Sequence, residues 1–106
     1  MTAPGPEGPS RSALLASVNR ALWGEISTAV RAVFYKVEDD CTLIRFVVDG
    51  PITASDRESV SCVGGEVVAD FPELRVEEFI DRVDAPARLV VQPGWDVAFI
   101  RKESQD

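Results

Sequence analysis

Residues 30–48 read VRAVFYKVEDDCTLIRFVV, a stretch that predicts the centre of a β-sheet. Its two runs, Val30–Val37 and Thr42–Val48, are rich in the β-branched and aromatic residues that favour strands. The acidic residues between the runs are typical of a turn. The stretch therefore predicts a β-hairpin, in which Ile44 and Phe46 share one face by two-residue alternation.

A helix is predicted before the hairpin. Apolar side chains recur there at the three- and four-residue spacing of a helix: Leu15, Val18, Leu22 and Ile26. Trp23 widens this stripe, and we expect it in the core or at its rim. Trp95 belongs to a second apolar pattern and is also expected near the core, although its place at a loop edge would suit an interface anchor.

A second helix is predicted after the hairpin. The sequence Ser55-Asp56-Arg57-Glu58 matches a capping box, in which a serine hydroxyl and a glutamate carboxylate bond backbone N–H groups at the helix start. An apolar stripe follows, and Pro72 ends the helix. Gly64 projects toward the stripe, where a missing side chain allows close approach to the sheet. The alternative is that Gly64 and Gly65 only weaken this helix, at about 1 kcal/mol each against alanine.

Two further strands are predicted at Leu74–Val83 and Trp95–Lys102, the latter with Trp95, Val97 and Phe99 on one face. The order α-β-β-α-β-β indicates an α+β fold with two helices packed on one face of a four-stranded, mainly antiparallel sheet. The opposite face is expected to be free for docking, with these residues on it: Val33, Tyr35, Arg45 and Val47. Residues 12–103 are predicted to form a single domain behind a flexible tail, residues 1–11.

The charge balance and the absence of histidine restrict the function. The chain has 18 acidic and 11 basic residues, a formal net charge of −7, and no histidine. Nucleic acid is not expected as a partner, because binding phosphates requires a cationic surface. Histidine is the commonest general base and metal ligand. We therefore predict a binding protein that is not an enzyme and that needs no cofactor or metal.

The remaining sequence signals predict a cytoplasmic protein. The first ten residues lack the basic and apolar segments of a secretory signal, and no apolar stretch is long enough to cross a membrane. Cys41 and Cys62 could form a disulfide, but in a chain without an export signal we expect two reduced thiols. Two cysteines without histidine do not make a structural zinc site.

Two groups of carboxylates are candidates for binding a partner. One is predicted on the outward side of the second helix and the other on the hairpin turn; the residues are Glu58, Glu66, Asp70, Glu38, Asp39 and Asp40. Solvated surface charge is the default role of such residues. A catalytic carboxylate pair would need a cleft and one buried member. A basic protein partner is the functional alternative, and we favour the helix group because a rigid element loses less entropy on binding.

Five segments carry a resemblance to a known group of proteins. They are ALWGEI (21–26), VRAV (30–33), FVVDG (46–50), ITASDRES (52–59) and GEVVADFPE (65–73). Together they resemble small bacterial immunity proteins of polymorphic toxin systems, the contact-dependent growth inhibition type among them. Most of the matching positions are turn, capping and core residues.

The resemblance implies a small, cytosolic, non-catalytic protein that neutralises a cognate toxin domain by covering its active site or substrate surface. It carries over no set of toxin-contacting residues. A basic nuclease toxin would match the acidic composition and attract the inhibitor electrostatically. The alternative is a small acidic secretion chaperone or adaptor, which would hold an effector segment extended. The oligomeric state is left open.

Overall fold

A computed structural model describes residues 10–39 and 41–103 of the chain, and these contain two helices and four strands. In chain order the elements are α1 Arg11–Ala21, β1 Val30–Glu38, β2 Cys41–Val48, α2 Ala54–Asp70, β3 Arg75–Arg82 and β4 Asp96–Ile100. The predicted α-β-β-α-β-β order and α+β class are confirmed. Within the described ranges, neither helix is long and apolar enough to cross a membrane.

The four strands form one sheet in the order β3-β2-β1-β4. β1 pairs antiparallel with β2 and with β4, whereas β2 and β3 run parallel. The sheet is therefore mainly antiparallel, as predicted, with one parallel pair. A parallel pair needs a crossover connection, and α2 supplies it between β2 and β3.

Both helices pack on the same face of the sheet, which we call the helix face. The core there joins α1, α2, β1 and β2; its fully buried members include Leu14, Val18, Val33, Ile44, Phe46, Val63 and Val67. Leu15 and Phe99 are partly buried against this cluster. The predicted single layer of helices is confirmed, since the predicted apolar stripes meet in one core.

The starts of the two helices have different caps from those expected. The Ser10 hydroxyl accepts the Ala13 N–H at 3.1 Å, so α1 begins at Arg11, inside the predicted tail. The other tail residues, 1–9, lie outside the described residues. At α2 the capping box is formed by Thr53 and Asp56, not by Ser55 and Glu58. The helix therefore begins two residues earlier than the predicted box would place it.

The second face of the sheet is partly covered. Residues 83–95 connect β3 at one edge to β4 at the other, and they cross this face. Side chains of this connection pack on the face opposite the helices; the cluster contains Ala32, Phe34, Val47, Val83, Leu89 and Trp95. Val33 and Tyr35 pair with Phe46 and Ile44 and belong to the helix-face core, so their predicted position on a free face is wrong.

A bulge in β4 changes which of its side chains share a face. Phe99 pairs with Val33 and Val97 pairs with Phe34, so Ala98 is the extra residue. Because of this residue, Phe99 packs into the helix-face core while Val97 lies with Trp95 on the second face. The prediction that Trp95, Val97 and Phe99 share one face is therefore wrong.

The two tryptophans differ in exposure. Trp23 is 76% exposed, because α1 ends at Ala21 and the following turn points this side chain away from the core. Its predicted core position is wrong. Trp95 is half-buried, as expected, and the Lys36 ammonium lies 5.3 Å from the centre of its ring. That spacing is typical of a cation–π contact.

Candidate partner-binding surface

The outward side of α2 carries two of the predicted carboxylates. Val60, Val63 and Val67 turn into the core, and this orientation leaves Glu58 and Glu66 exposed. Neither carboxylate has an ion-pair partner among residues 10–39 and 41–103. Two helical turns, about 12 Å along the axis, separate them. Their charges therefore remain available to a partner.

Asp70, the third predicted residue on α2, has a structural contact. Its Oδ2 atom accepts a hydrogen bond from the Ser17 hydroxyl at 2.7 Å, and it also pairs with the Arg20 guanidinium. These bonds, that from Ser17 first, hold the pKa of Asp70 below its ordinary value. Asp70 therefore joins α2 to α1, a role that sequence reasoning missed because Ser17 is far away in the sequence.

The hairpin turn carries the second predicted group. Glu38 is exposed and its carboxylate lies 3.0 Å from the Lys36 ammonium. Asp39 has φ +56°, a left-handed conformation that aspartate tolerates better than most residues. Asp40 lies outside the described residues. Of the two turn carboxylates that the structure describes, Asp39 is the one that has no basic partner among the described residues.

The sheet topology brings the C-terminal carboxylates of α2 and the hairpin turn to one end of the molecule, whereas Glu58 lies in the N-terminal half of α2, toward the other end. The parallel pairing of β3 with β2 starts at Arg75 beside Cys41, which directly follows the turn. The C-terminal end of α2 and the loop at 71–74 must therefore lie at the same end of the sheet as the turn. This loop carries an exposed glutamate, Glu73, that sequence reasoning did not select. We call this set of carboxylates the hairpin end: Glu38, Asp39, Glu66, Asp70 and Glu73.

Other charged residues of the quoted motifs stabilise the opposite end. The Arg31 guanidinium is 2% exposed and donates to both Glu103 oxygens at 2.7 and 2.8 Å, and to the Val83 carbonyl at 2.9 Å. Arg101 links the same Glu103 carboxylate to Asp49. Arg31 and Asp49 belong to the VRAV and FVVDG segments, so those motifs report on folding and not on partner contacts.

The ion pair between Arg31 and Glu103 shifts the pKa of both groups. The hydrogen bond from Arg31 lowers the pKa of Glu103 from 4.5 to about 2. The same bond raises the pKa of Arg31 above its ordinary value, against the opposing effect of burial. Both residues are therefore charged throughout the physiological pH range.

The described residues offer little for catalysis or metal binding. In the part of the chain that the structure describes, no three His, Cys, Asp or Glu side chains are grouped so that they could hold a metal ion. Cys41 is buried in β2, and burial raises the pKa of its thiol. Cys62 is exposed on α2, and both thiols are free. A thiol with a raised pKa is a weak nucleophile at neutral pH.

The comparison with protein families identifies the class. A small acidic α+β domain with unpaired carboxylates on one helix is suited to binding a protein partner. The model of the MafI2 immunity protein family matches residues 11–103, and the chain belongs to this family. This match confirms the relation of the chain to immunity against a toxin, which was expected from the sequence. Immunity protein families are generally non-enzymatic. No curated protein matches the chain significantly.

Proposed function

We propose that this protein neutralises a cognate bacterial toxin by binding it directly and covering its active site or substrate-binding surface. Membership of the immunity family supports a toxin as the partner. The set of carboxylates at the hairpin end supports this binding mode. Three of them, Glu66, Asp39 and Glu73, have no ion pair among the described residues. Binding there needs no catalytic group in the inhibitor.

The charge of this surface favours a basic toxin, and a nuclease is the class we propose. A nuclease binds phosphates through cationic side chains, and a net charge of −7 lets the inhibitor occupy the same surface. Complementary charge also increases the rate of encounter. We place this interaction in the cytoplasm, where a nuclease would meet its substrate, and we propose no role for nucleic acid or membrane as partners of this chain.

The second candidate, a secretion chaperone or adaptor, would hold an extended segment of an effector. The outer edge of β3, which no described strand covers, is the feature that would serve it, since an edge strand can pair with an extended chain. The two functions differ in the part of the partner that is bound. An adaptor binds the N-terminal region of an effector, whereas an immunity protein binds the toxin domain and abolishes its activity.

The direct test begins with the gene immediately upstream: the proposal expects a large secreted protein whose C-terminal domain is the toxin domain, and a housekeeping operon there would contradict it. Binding is measured by calorimetry, and protection by growth of cells that express the toxin. The paired reversal Glu66→Lys and Glu73→Lys should weaken binding at least severalfold. Glu25→Lys is the matched control, because the turn after α1 lies at the end of the sheet away from the hairpin turn.

Two outcomes separate the parts of this proposal. If the unmodified protein neither binds that toxin domain nor protects cells, the proposed function is wrong. If it binds and protects, but the doubly reversed variant does so equally well, the function stands and the hairpin end is not the contact surface. Asp70 is left unchanged in this test because its loss would disturb the contact between α1 and α2.

A further inference from the structure

Strand β3 forms an edge of the sheet, and no strand among residues 10–39 and 41–103 pairs with its outer side. β3 has eight residues and pairs with β2 without a bulge, from Arg75 beside Cys41 to Arg82 beside Val48. The other edge strand, β4, has five residues and contains the bulge at Ala98. Short and bulged edges resist pairing with another chain, whereas long regular edges permit it. β3 is therefore the edge suited to accept a strand.

The direction of the backbone N–H and C=O groups shows which residues of β3 would bond to an added strand. The Val83 N–H donates to the Val48 carbonyl at 2.9 Å, so it points inward to β2. Backbone groups alternate along a strand, and the residues of even number in β3 therefore point their N–H and C=O groups outward. Three such residues lie in the middle of the strand: Val76, Glu78 and Ile80. Their side chains lie on the helix face, where Val76 and Ile80 pack against the core.

Glu78 places a carboxylate at the centre of this edge. A Cβ atom added to Gly64 of α2 would lie 1.5 Å from the Glu78 Oε2 atom, so the missing side chain at Gly64 makes room for the carboxylate. Partial burial raises the pKa of Glu78, although the residue as a whole is exposed, and no hydrogen bond or ion pair with a described residue offsets this effect. A cation brought by a partner would satisfy this carboxylate.

A second copy of this chain is a poor occupant of the edge. In an antiparallel pair, residues that bond outward face residues that bond outward. The symmetric register centred on Glu78 places this carboxylate opposite Glu78 of the second copy, with Glu77 and Asp81 nearby. A register centred on Ile80 would instead place Glu78 opposite Arg82, but in either register two copies that each carry a net charge of −7 repel one another. Like charges directly opposite each other destabilise a sheet. A strand that carries lysine or arginine meets no such repulsion.

Apolar side chains lie on both sides of the edge. Val68, one helical turn beyond Gly64, is 38% exposed above the helix face. Phe79 is 42% exposed on the second face. A strand added to β3 would have one face toward each of these side chains, because neighbouring strands share the faces of a sheet. Main-chain bonds would supply affinity, and these contacts would supply specificity.

We propose that an extended basic segment of the cognate toxin adds to the outer edge of β3 as a fifth strand, with a lysine or arginine beside Glu78. The inference rests on the proposed function, since it takes the toxin as the partner. It goes beyond that function by naming the backbone groups and the carboxylate that make the contact. The hairpin end lies where β3 begins, so one toxin domain can reach both surfaces.

Amide hydrogen exchange tests this arrangement without any substitution. Binding of the cognate toxin domain, identified by the test of the proposed function, should slow exchange at Val76, Glu78 and Ile80 at least tenfold. The N–H groups of Glu77 and Phe79 already bond to β2 and should change less. If the toxin domain binds and the three outward amides exchange as fast as in the free protein, the proposal is wrong while the proposed function stands.

Two variants give a second test. Glu78→Pro removes one outward N–H but no bond to β2, and it should weaken toxin binding tenfold or more. Glu78→Gln keeps that N–H and removes the charge; it should weaken binding severalfold and reduce its salt dependence. Circular dichroism checks that both variants remain folded. If the proline variant does not fold, the hydrogen-exchange measurement on the unmodified protein decides the question.

Other occupants of the outer edge of β3 would give different results in these experiments. If the protein alone is a dimer in solution and its three outward amides are already protected, a second copy occupies the edge and the proposal is overturned. If neither variant changes binding of a toxin domain that the unmodified protein does bind, strand addition is excluded. If no toxin domain binds, the proposed function fails and this inference fails with it.

Discussion

The Arg31 guanidinium lies between the Glu103 carboxylate, with which it shares two hydrogen bonds of 2.7 and 2.8 Å, and the Val83 carbonyl. This residue joins three segments that are distant in sequence: β1, the residues after β4 and the connection between β3 and β4. Charge-assisted bonds of this paired kind are among the stronger polar contacts in proteins. Their location opposite the hairpin end separates the stabilising charges from those proposed to bind a partner.

Replacement of Arg31 should destabilise the folded protein. Arg31→Met should lower the free energy of unfolding by about 2–3 kcal/mol, because the Val83 carbonyl loses its guanidinium donor and the Glu103 carboxylate keeps only its bonds from Arg101. Urea unfolding followed by circular dichroism measures this change. Arg88→Met, at an exposed residue of the connection, is the control and should stay within about 0.5 kcal/mol. Equal stability of the two variants would contradict the assigned role of Arg31.

The same contact predicts a loss of stability in acid. The pKa of Glu103 falls from 4.5 to about 2 on folding, so between these values the unfolded chain binds more protons than the folded one. The contribution of Glu103 is therefore complete above pH 4.5 and declines as the pH falls toward 2. Thermal unfolding at several pH values measures this decline. Glu103→Gln should have a shallower pH dependence in that window, and an unchanged slope would contradict the prediction.

The neighbouring glycines of α2 should respond differently to alanine. A Cβ atom at Gly65 meets nothing within 4 Å, so Gly65→Ala should stabilise the protein by about 1 kcal/mol through helix propensity. Gly64→Ala should gain less or lose stability, because it displaces the Glu78 carboxylate. Nothing in the structure explains why glycine stands at residue 65. Chemical denaturation of both variants checks the difference, and equal gains would argue against the contact between Gly64 and Glu78.

The two carboxylates at the C-terminal end of α2 should also differ. Asp70→Ala should lower the unfolding temperature, because it leaves the Ser17 hydroxyl, which is 3% exposed, without its acceptor. Glu66→Ala removes an exposed carboxylate and should leave the unfolding temperature almost unchanged. Differential scanning calorimetry compares them directly. A larger effect at Glu66 would contradict the assignment of Asp70 to helix packing.

Binding should depend on ionic strength through the association rate. If the carboxylates attract a basic toxin, that rate should fall clearly between low salt and a few hundred millimolar, while the dissociation rate changes less. Stopped-flow fluorescence at several salt concentrations measures both. An association rate independent of salt would shift the contact to the apolar side chains beside β3.

The elements of the fold could be predicted because their periodicity is local. The stripes of both helices and the two runs of the hairpin are each visible within about ten residues of sequence. The capping box was misplaced because Thr53 with Asp56 and Ser55 with Glu58 match the same motif, and only the hydrogen bonds distinguish them. The parallel pairing of β2 with β3 was not predicted, since a strand pattern does not specify its neighbour.

The faces of the sheet and the roles of single carboxylates were less accessible. A shift of one residue moves every side chain of a strand to the other face, and the bulge at Ala98 causes such a shift within β4. Asp70 and Glu66 have the same chemistry in the sequence, and only the packing of α1 against α2 separates them. Glu73 was missed because its place depends on which strand β3 joins.

The contrast between the two indole rings makes the protein its own optical reporter. Trp23, 76% exposed, should emit at the long wavelengths of a hydrated indole and be readily quenched by iodide. Trp95, half-buried beneath the Lys36 ammonium, should emit at shorter wavelengths and resist quenching. The variant Trp23→Phe would therefore contain one tryptophan, fixed on the face away from the helices, whose emission can be excited selectively over that of Tyr35. Its spectrum would report the opening of the β3–β4 connection without an attached dye.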